Sequence, residues 1–198
     1  MKRLTKFKTS SSSLLIVLLS FGFAAGYFTK EMTFSPPKNF EITAQRTSAL
    51  SKESVAVCFT PNKQCQAIIL DEIGAAKKSI FVQAYSFTDK DIATALANAA
   101  SHGVDVRVLL DKSNRGDDRS AKNIILNQNI PLQFDAPNGI AHNKIMIIDE
   151  NKVITGSYNF SVSAYKRNTE NLLVISNSTL AQTYLQNWQA RWRLSKEN

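Results

Sequence analysis

The chain has 198 residues, enough for one domain of ordinary size with additional segments. Hydrophobic residues make up 43% and charged residues 20%, close to globular averages, which excludes global disorder; no fixed-period self-similarity marks a repeat array. Lysine and arginine outnumber aspartate and glutamate 24 to 16, for a net charge of +8, and only two histidines, His102 and His142, exist for acid–base chemistry.

The N-terminus reads as a targeting segment. Lys2, Arg3, Lys6 and Lys8 have no acid beside them, and Leu14 to Phe28 is almost wholly apolar. As a helix, that run would be roughly 22 Å long, short of a ~30 Å hydrocarbon core. With Ala24-Ala25-Gly26 placed for cleavage, residues 1–26 are expected to be a secretory signal peptide. The alternative is an uncleaved anchor, because Tyr27 and Phe28 lengthen the run. Either way the protein is expected to be exported, periplasmic or secreted, and an uncleaved segment would tether it to the inner membrane. Without this segment, twenty basic residues face sixteen acidic ones, a balance that suits an anionic partner or an ordinary solvated surface.

Residues 27–53 hold Pro36-Pro37 and no sustained period, and read as a linker. The catalytic domain is expected over residues 54–194. Ser54 to Phe59 is rich in strand formers. Cys58 and Cys65 are the only cysteines; in an exported chain so close a pair reads as a disulfide, with two free thiols as the alternative. Zinc would need further ligands that no nearby Cys or His supplies. From Gln66, apolar Ile69, Ile73 and Ala76 mark a helical face. Ser79 to Tyr85 reads as a strand. Thr88-Asp89-Lys90-Asp91 resembles a capping box opening a helix with Ile92, Leu96 and Ala99 on one face, closed at His102-Gly103. Val104 to Leu110 is a strand, Asp117 to Asn127 a helix and Pro131 to Phe134 a short strand. This βαβαβ rhythm predicts parallel strands with covering helices.

The second half reads differently. Lys144 to Asp149 contains the apolar run of a central strand; Glu150-Asn151 turns, and Lys152 to Thr155 returns. Asn171 to Ile175 is a further strand. Leu180, Tyr184, Trp188 and Trp192 are spaced by four, an amphipathic helix whose tryptophans suit core packing better than base stacking. The expected architecture is one α/β domain with a mixed sheet, parallel strands included, flanked by helices.

One stretch carries chemistry: His142-x-Lys144, four residues, Asp149, six residues, Gly156-Ser157-x-Asn159, then Glu170. Residues two apart on a strand share a face, so His142 would project with Lys144, and Ser157 with Asn159. A hairpin would gather an imidazole, an ammonium, a hydroxyl and an amide, a set suited to a phosphate. Gly156 allows close approach of a ligand or of backbone.

The spacing of these residues is that of the HKD motif, and the chain resembles the phospholipase D superfamily, above all its small secreted single-motif endonucleases. Ala84-Tyr85-Ser86-Phe87-Thr88, Gly103-Val104-Asp105-Val106 and Asn168-Thr169-Glu170-Asn171 resemble that subgroup too. The resemblance implies the phospholipase D-like fold and two-step phosphodiester transfer without a metal or other cofactor. His142 would attack phosphorus, and a second histidine would protonate the leaving oxygen and then activate water. Lys144, Ser157 and Asn159 match phosphate-binding positions. Glu170 matches the acid that holds the nucleophilic ring, and Asp149 the motif aspartate, with an orienting role. His102 lacks a Lys two residues on, so the second histidine is expected from His142 of another copy in a homodimer. A nucleic-acid substrate would be gripped by Lys112, Arg115, Arg119, Lys166 and Arg167, unless these form a plain solvated face. A phospholipid, the alternative substrate, would need an apolar collar, for which Phe134, Pro137, Ile140, Tyr158 and Phe160 are candidates. A non-catalytic exported nucleic-acid-binding module is the third reading.

Overall fold

Strand alternation divides the described residues into two apolar layers on either side of one sheet. The computed structural model describes residues 53–61 and 63–195; the expected targeting segment and all but the last residue of the expected linker lie outside the described residues. The elements are β1 (Ser54–Phe59), α1 (Gln64–Ala75), β2 (Ser79–Ala84), α2 (Lys90–Ser101), β3 (Asp105–Asp111), α3 (Lys122–Asn127), β4 (Leu132–Asp135), β5 (Lys144–Ile148), β6 (Lys152–Gly156), α4 (Val162–Lys166), β7 (Asn171–Ser176) and α5 (Ser178–Ser195).

The sheet order is β1-β7-β6-β5-β2-β3-β4. β2, β3 and β4 are parallel neighbours, whereas β5, β6, β7 and β1 join antiparallel. The fold is the expected mixed α/β architecture, one sheet with parallel strands flanked by helices. The βαβ reading of the first three strands holds for β2-α2-β3 and fails for β1. That strand crosses to the far edge and pairs antiparallel with β7, Ser54 opposite Ser176 and Phe59 opposite Asn171. Local pattern specifies a strand, not its neighbour.

On β2, Ile80, Val82 and Ala84 face one way and join Ile69 and Ile73 of α1, Ile92 and Leu96 of α2, and Ile125 of α3. Phe81 faces the other way and packs with Leu109, Ile147, Val153 and the α5 residues Leu185, Trp188 and Trp192. The tryptophans are core residues, 2% and 9% exposed, with ring centroids 4.8 Å apart. Trp188 Nε1 donates to Val82 O at 2.9 Å, so its polar edge is satisfied inside the apolar layer. Replacing such a side chain with alanine costs on the order of 3–5 kcal/mol.

Several boundaries differ from the sequence reading. The cap of α2 is Asp89, not Thr88: its carboxylate accepts from the Asp91 and Ile92 N–H groups at 3.0 and 3.3 Å. The helix expected from Asp117 contracts to Lys122–Asn127, preceded by a 3-10 turn at Lys112–Arg115. The α4 helix, five residues long, is too short to show a period. The β5–β6 hairpin turns on Asp149 and Glu150, with φ of 51° and 58°, one residue earlier than expected. Cys58 and Cys65 form a disulfide, with Cα atoms 5.6 Å apart, tying the end of β1 to the start of α1.

Candidate active site

The sheet register carries most of the motif to one end. Lys144, at the start of β5, pairs with Ala84 at the end of β2, and Gly156, at the end of β6, pairs with Leu172 near the start of β7. Tyr85 N–H donates to Asn143 O at 2.8 Å, and Ala141 N–H donates to the Asp111 carboxylate at 2.7 Å, so the backbone on both sides of His142 is fixed. The His142 side chain is exposed, with its ring centroid 4.5 Å from that of Tyr85 at 59°. Lys144 is buried; its Nζ lies 5.1 Å from the same tyrosine ring centroid and donates to His142 O at 3.0 Å. The two side chains thus meet at one aromatic ring, as period-two alternation predicts. Burial pushes the Lys144 ammonium below the usual lysine range, while the nearby Glu170 carboxylate pulls it back up.

The second half of the motif follows a bend after β6. Gly156 has φ of 144°, and a Cβ there would collide with the Asn171 carbonyl oxygen. That carbonyl accepts from the N–H groups of Ser157 and Tyr158 at 3.1 and 3.2 Å. The close approach that glycine allows is therefore by backbone. Ser157 Oγ donates to Glu170 Oε2 at 2.6 Å, and Asn168 Nδ2 donates to Glu170 Oε1 at 2.8 Å. Thr60 links β1 to this group: Glu170 N–H donates to its hydroxyl at 2.9 Å, and the hydroxyl donates to Asn168 O at 2.9 Å. Tyr158 is fully buried, whereas Ser157 and Asn159 alternate with it. Asn159 Oδ1 is buried without a hydrogen-bond partner. His142, Lys144, Ser157, Asn159 and Glu170 thus gather at the end of the sheet where β2 finishes.

Two residues of the expected set, Asp149 and Glu170, have partners of their own within the chain. Asp149 is not in this group: it follows β5 at the opposite end of the sheet. There its carboxylate accepts from the N–H groups of Lys77, Lys78 and Ser79, at 2.9, 2.7 and 3.1 Å respectively. Burial pushes this carboxyl up, but the three backbone bonds and the Lys78 charge outweigh it and hold it below the ordinary aspartate value. Asp149 orients the chain entering β2, not the reacting groups. Within the chain Glu170 accepts from Ser157 and Asn168, one bond on each oxygen, and Tyr85 is the residue whose ring meets the His142 ring. Tyr85, Thr60 and Asn168 carry no signal of their own beyond the family-like segments that contain Tyr85 and Asn168.

His102 is the C-cap of α2, where its Nδ1 donates to Asn98 O at 2.7 Å. It lies beside the start of β3, at the end of the sheet away from His142, so His142 is the one imidazole that this chain brings to the group.

Residues 69–192 match the family described as cardiolipin synthase, PLD-like domain. A second family, the scaffolding anchor of CK1 domain, matches residues 8–122 and so ends before His142. The chain is 43% identical over 196 residues to a phospholipase D of Rickettsia prowazekii, covering 93% of this chain and 95% of that one. The chain belongs to the phospholipase D superfamily. Among solved structures, Nuc from Salmonella typhimurium, a phospholipase D family member, is 41% identical, with a TM-score of 0.69 over 72% of this chain and 95% of that one. NucT from Helicobacter pylori is 26% identical, with a TM-score of 0.65 over 72% and 97% of the two chains. This superfamily member is accordingly a phosphodiesterase, and the group around His142 is its candidate centre.

The surroundings of that centre are polar. Of the five residues considered for an apolar collar, Tyr158 and Phe160 are fully buried core residues, Phe134 and Pro137 are half-buried and only Ile140, at 57%, is well exposed. The Arg115 guanidinium lies 5.0 Å from the Phe134 ring centroid, and Lys112 Nζ donates to Pro137 O at 3.1 Å. Those two cations are engaged with β4 and the segment that follows it. Arg119, Lys166 and Arg167 instead line a cleft beside Asn159.

Proposed function

We propose that this phosphodiesterase cleaves phosphodiester bonds in nucleic acid as a non-specific, metal-independent endonuclease. In the first step, a lone pair on the His142 ring attacks phosphorus and the bond to the leaving oxygen breaks, leaving a phosphohistidine. Lys144, Asn159 and Ser157, the last by turning its hydroxyl away from Glu170, bind the phosphate oxygens, so that charge developing on them meets donors close at hand. A second imidazole protonates the leaving oxygen and then takes a proton from water, which displaces His142 and releases the phosphate ester. That imidazole is His142 of a second copy in a two-fold homodimer, with one composite site.

The observation that carries the nucleic-acid reading is the polar rim. Tyr158 and Phe160 lie in the core and Phe134 and Pro137 are half-buried, which leaves little apolar surface for acyl chains. The names Nuc and NucT, and the single-motif endonucleases that the sequence resembles, support the same reading. The phospholipase reading keeps support of its own: relatives from several Rickettsia species are named phospholipase D, and the matching family is described as cardiolipin synthase, PLD-like domain. The disulfide agrees with an oxidising, exported setting.

The test is to incubate purified protein with plasmid DNA, RNA and phosphatidylcholine vesicles in parallel, with EDTA present. Cleavage of either nucleic acid is the expected result. Release of choline alone establishes the lipid reading, and binding to nucleic acid without turnover overturns both enzymatic readings.

A further inference from the structure

The cleft beside Asn159 encloses about 560 Å³. Three cations line it: Arg119, Lys166 and Arg167. Asn159 and Asn168 add amides, and the rest of the lining is hydroxyl-bearing side chains and Val162; no carboxylate lines it. Arg119 Nε meets Asp117 at 3.0 Å, and Asp117 stands outside the cleft. Among the described residues, Lys166 and Arg167 form no ion pair. Lys166 Nζ lies 5.7 Å from the Tyr165 ring centroid, and an Arg167 guanidinium nitrogen donates to Ser163 Oγ at 2.8 Å. A concave wall with two cations free of ion pairs, a third paired only from outside the cleft, and several hydrogen-bond donors suits an oxyanion.

The cleft shares its wall with the centre at three points. Asn159 belongs to the motif, Asn168 donates to Glu170, and Ser86 follows the tyrosine that contacts His142. We propose that the cleft is a second phosphate subsite, which binds the phosphate next to the scissile one on the same nucleic-acid strand. This inference rests on the nuclease reading and names what the site measures: a substrate with two successive phosphates. A phosphatidylcholine headgroup offers one phosphate, followed by a quaternary ammonium that three cations repel.

The test compares thymidylyl-thymidine, which has one phosphate, with its 5′-phosphorylated and 3′-phosphorylated forms. Bis(4-nitrophenyl) phosphate, with neither base nor second phosphate, is the control. One phosphorylated form is expected to exceed the unphosphorylated dinucleotide in kcat/KM by about 10-fold at low salt, mainly through KM. In the triple variant Arg119→Ala, Lys166→Ala, Arg167→Ala that ratio falls to about 1. If the triple variant does not fold, the wild-type ratio and the single variant Lys166→Glu decide, the latter with a ratio below that of wild type. A wild-type ratio near 1, or a ratio that these variants leave unchanged, overturns the subsite. Hydrolysis of the control with no cleavage of any dinucleotide overturns the nuclease reading, and the subsite with it.

Discussion

The Tyr85 ring packs against the His142 imidazole, with centroids 4.5 Å apart, while the same ring lies 5.1 Å from Lys144 Nζ. The tyrosine is itself fixed from both sides: its N–H donates to Asn143 O, and its carbonyl accepts from Asn114 Nδ2 at 2.6 Å. A ring held this firmly sets where the exposed imidazole sits. Tyr85→Leu is expected to lower kcat by about 10–100-fold, with KM within a factor of about two, because misplaced reacting atoms penalise the chemical step. Tyr85→Phe keeps the ring face and should stay within about threefold of wild type. Steady-state kinetics on bis(4-nitrophenyl) phosphate separates the two; an equal loss in both variants would deny the ring this role.

A composite site makes a quantitative prediction about mixed dimers. His142→Ala alone should abolish turnover. Equal amounts of wild type and His142→Ala, unfolded and refolded together, pair at random, and only about a quarter of the dimers then carry two imidazoles. Activity should fall to about a quarter of that of the same amount of all-wild-type protein. About half would mean that each protomer works alone, as would an active monomer in sedimentation.

Lys144 sets an alkaline limit. Burial lowers its pKa, and the ammonium loses its charge as pH rises through that lowered value. Phosphate binding weakens with it, so kcat/KM is expected to fall before the ordinary lysine value of about 10.4 is reached. Lys144→Arg keeps the charge at all these pH values and should remove or raise this limb at some cost in rate. A pH–rate profile that is unchanged in the arginine variant would place the limb elsewhere.

Asp149 is expected to matter for stability and not for chemistry. Asp149→Ala removes the acceptor for three backbone N–H groups, a loss of about 1–2 kcal/mol and roughly 5 °C in Tm. Its folded pKa lies below the unfolded one, so the stability it gives is full above the unfolded value of about 3.9. That stability is lost as pH falls through the lowered folded value. Thermal melts of wild type and variant should therefore converge in acid. Folded Asp149→Ala should keep a kcat close to that of wild type; loss of kcat without loss of Tm would return Asp149 to the catalytic group.

Much of this was written locally. The alternation of Ile80, Val82 and Ala84 against Phe81, and the four-residue spacing of Trp188 and Trp192, fix which side chains enter each apolar layer, because periods of 2 and 3.6 are properties of the chain itself. The HKD spacing identified His142, Lys144, Ser157 and Asn159 as a set, since two hairpin strands return them to one end of the sheet. Asp149 belongs to the same motif, yet the four residues Ile145 to Ile148 of β5 separate it from Lys144 and carry it to the other end of the sheet.

The sequence by itself determined the strands and the longer helices, the family and the residues able to hold a phosphate. Only the tertiary structure decided that β1 crosses to β7 and places Thr60 against Glu170, that Tyr85 meets His142 and that Arg119 shares a cleft with Lys166 and Arg167. Each of these pairs lies dozens of residues apart in the chain. Neither a strand's periodicity nor a helix's records which distant partner it will face; that choice is made by the packing of the whole sheet.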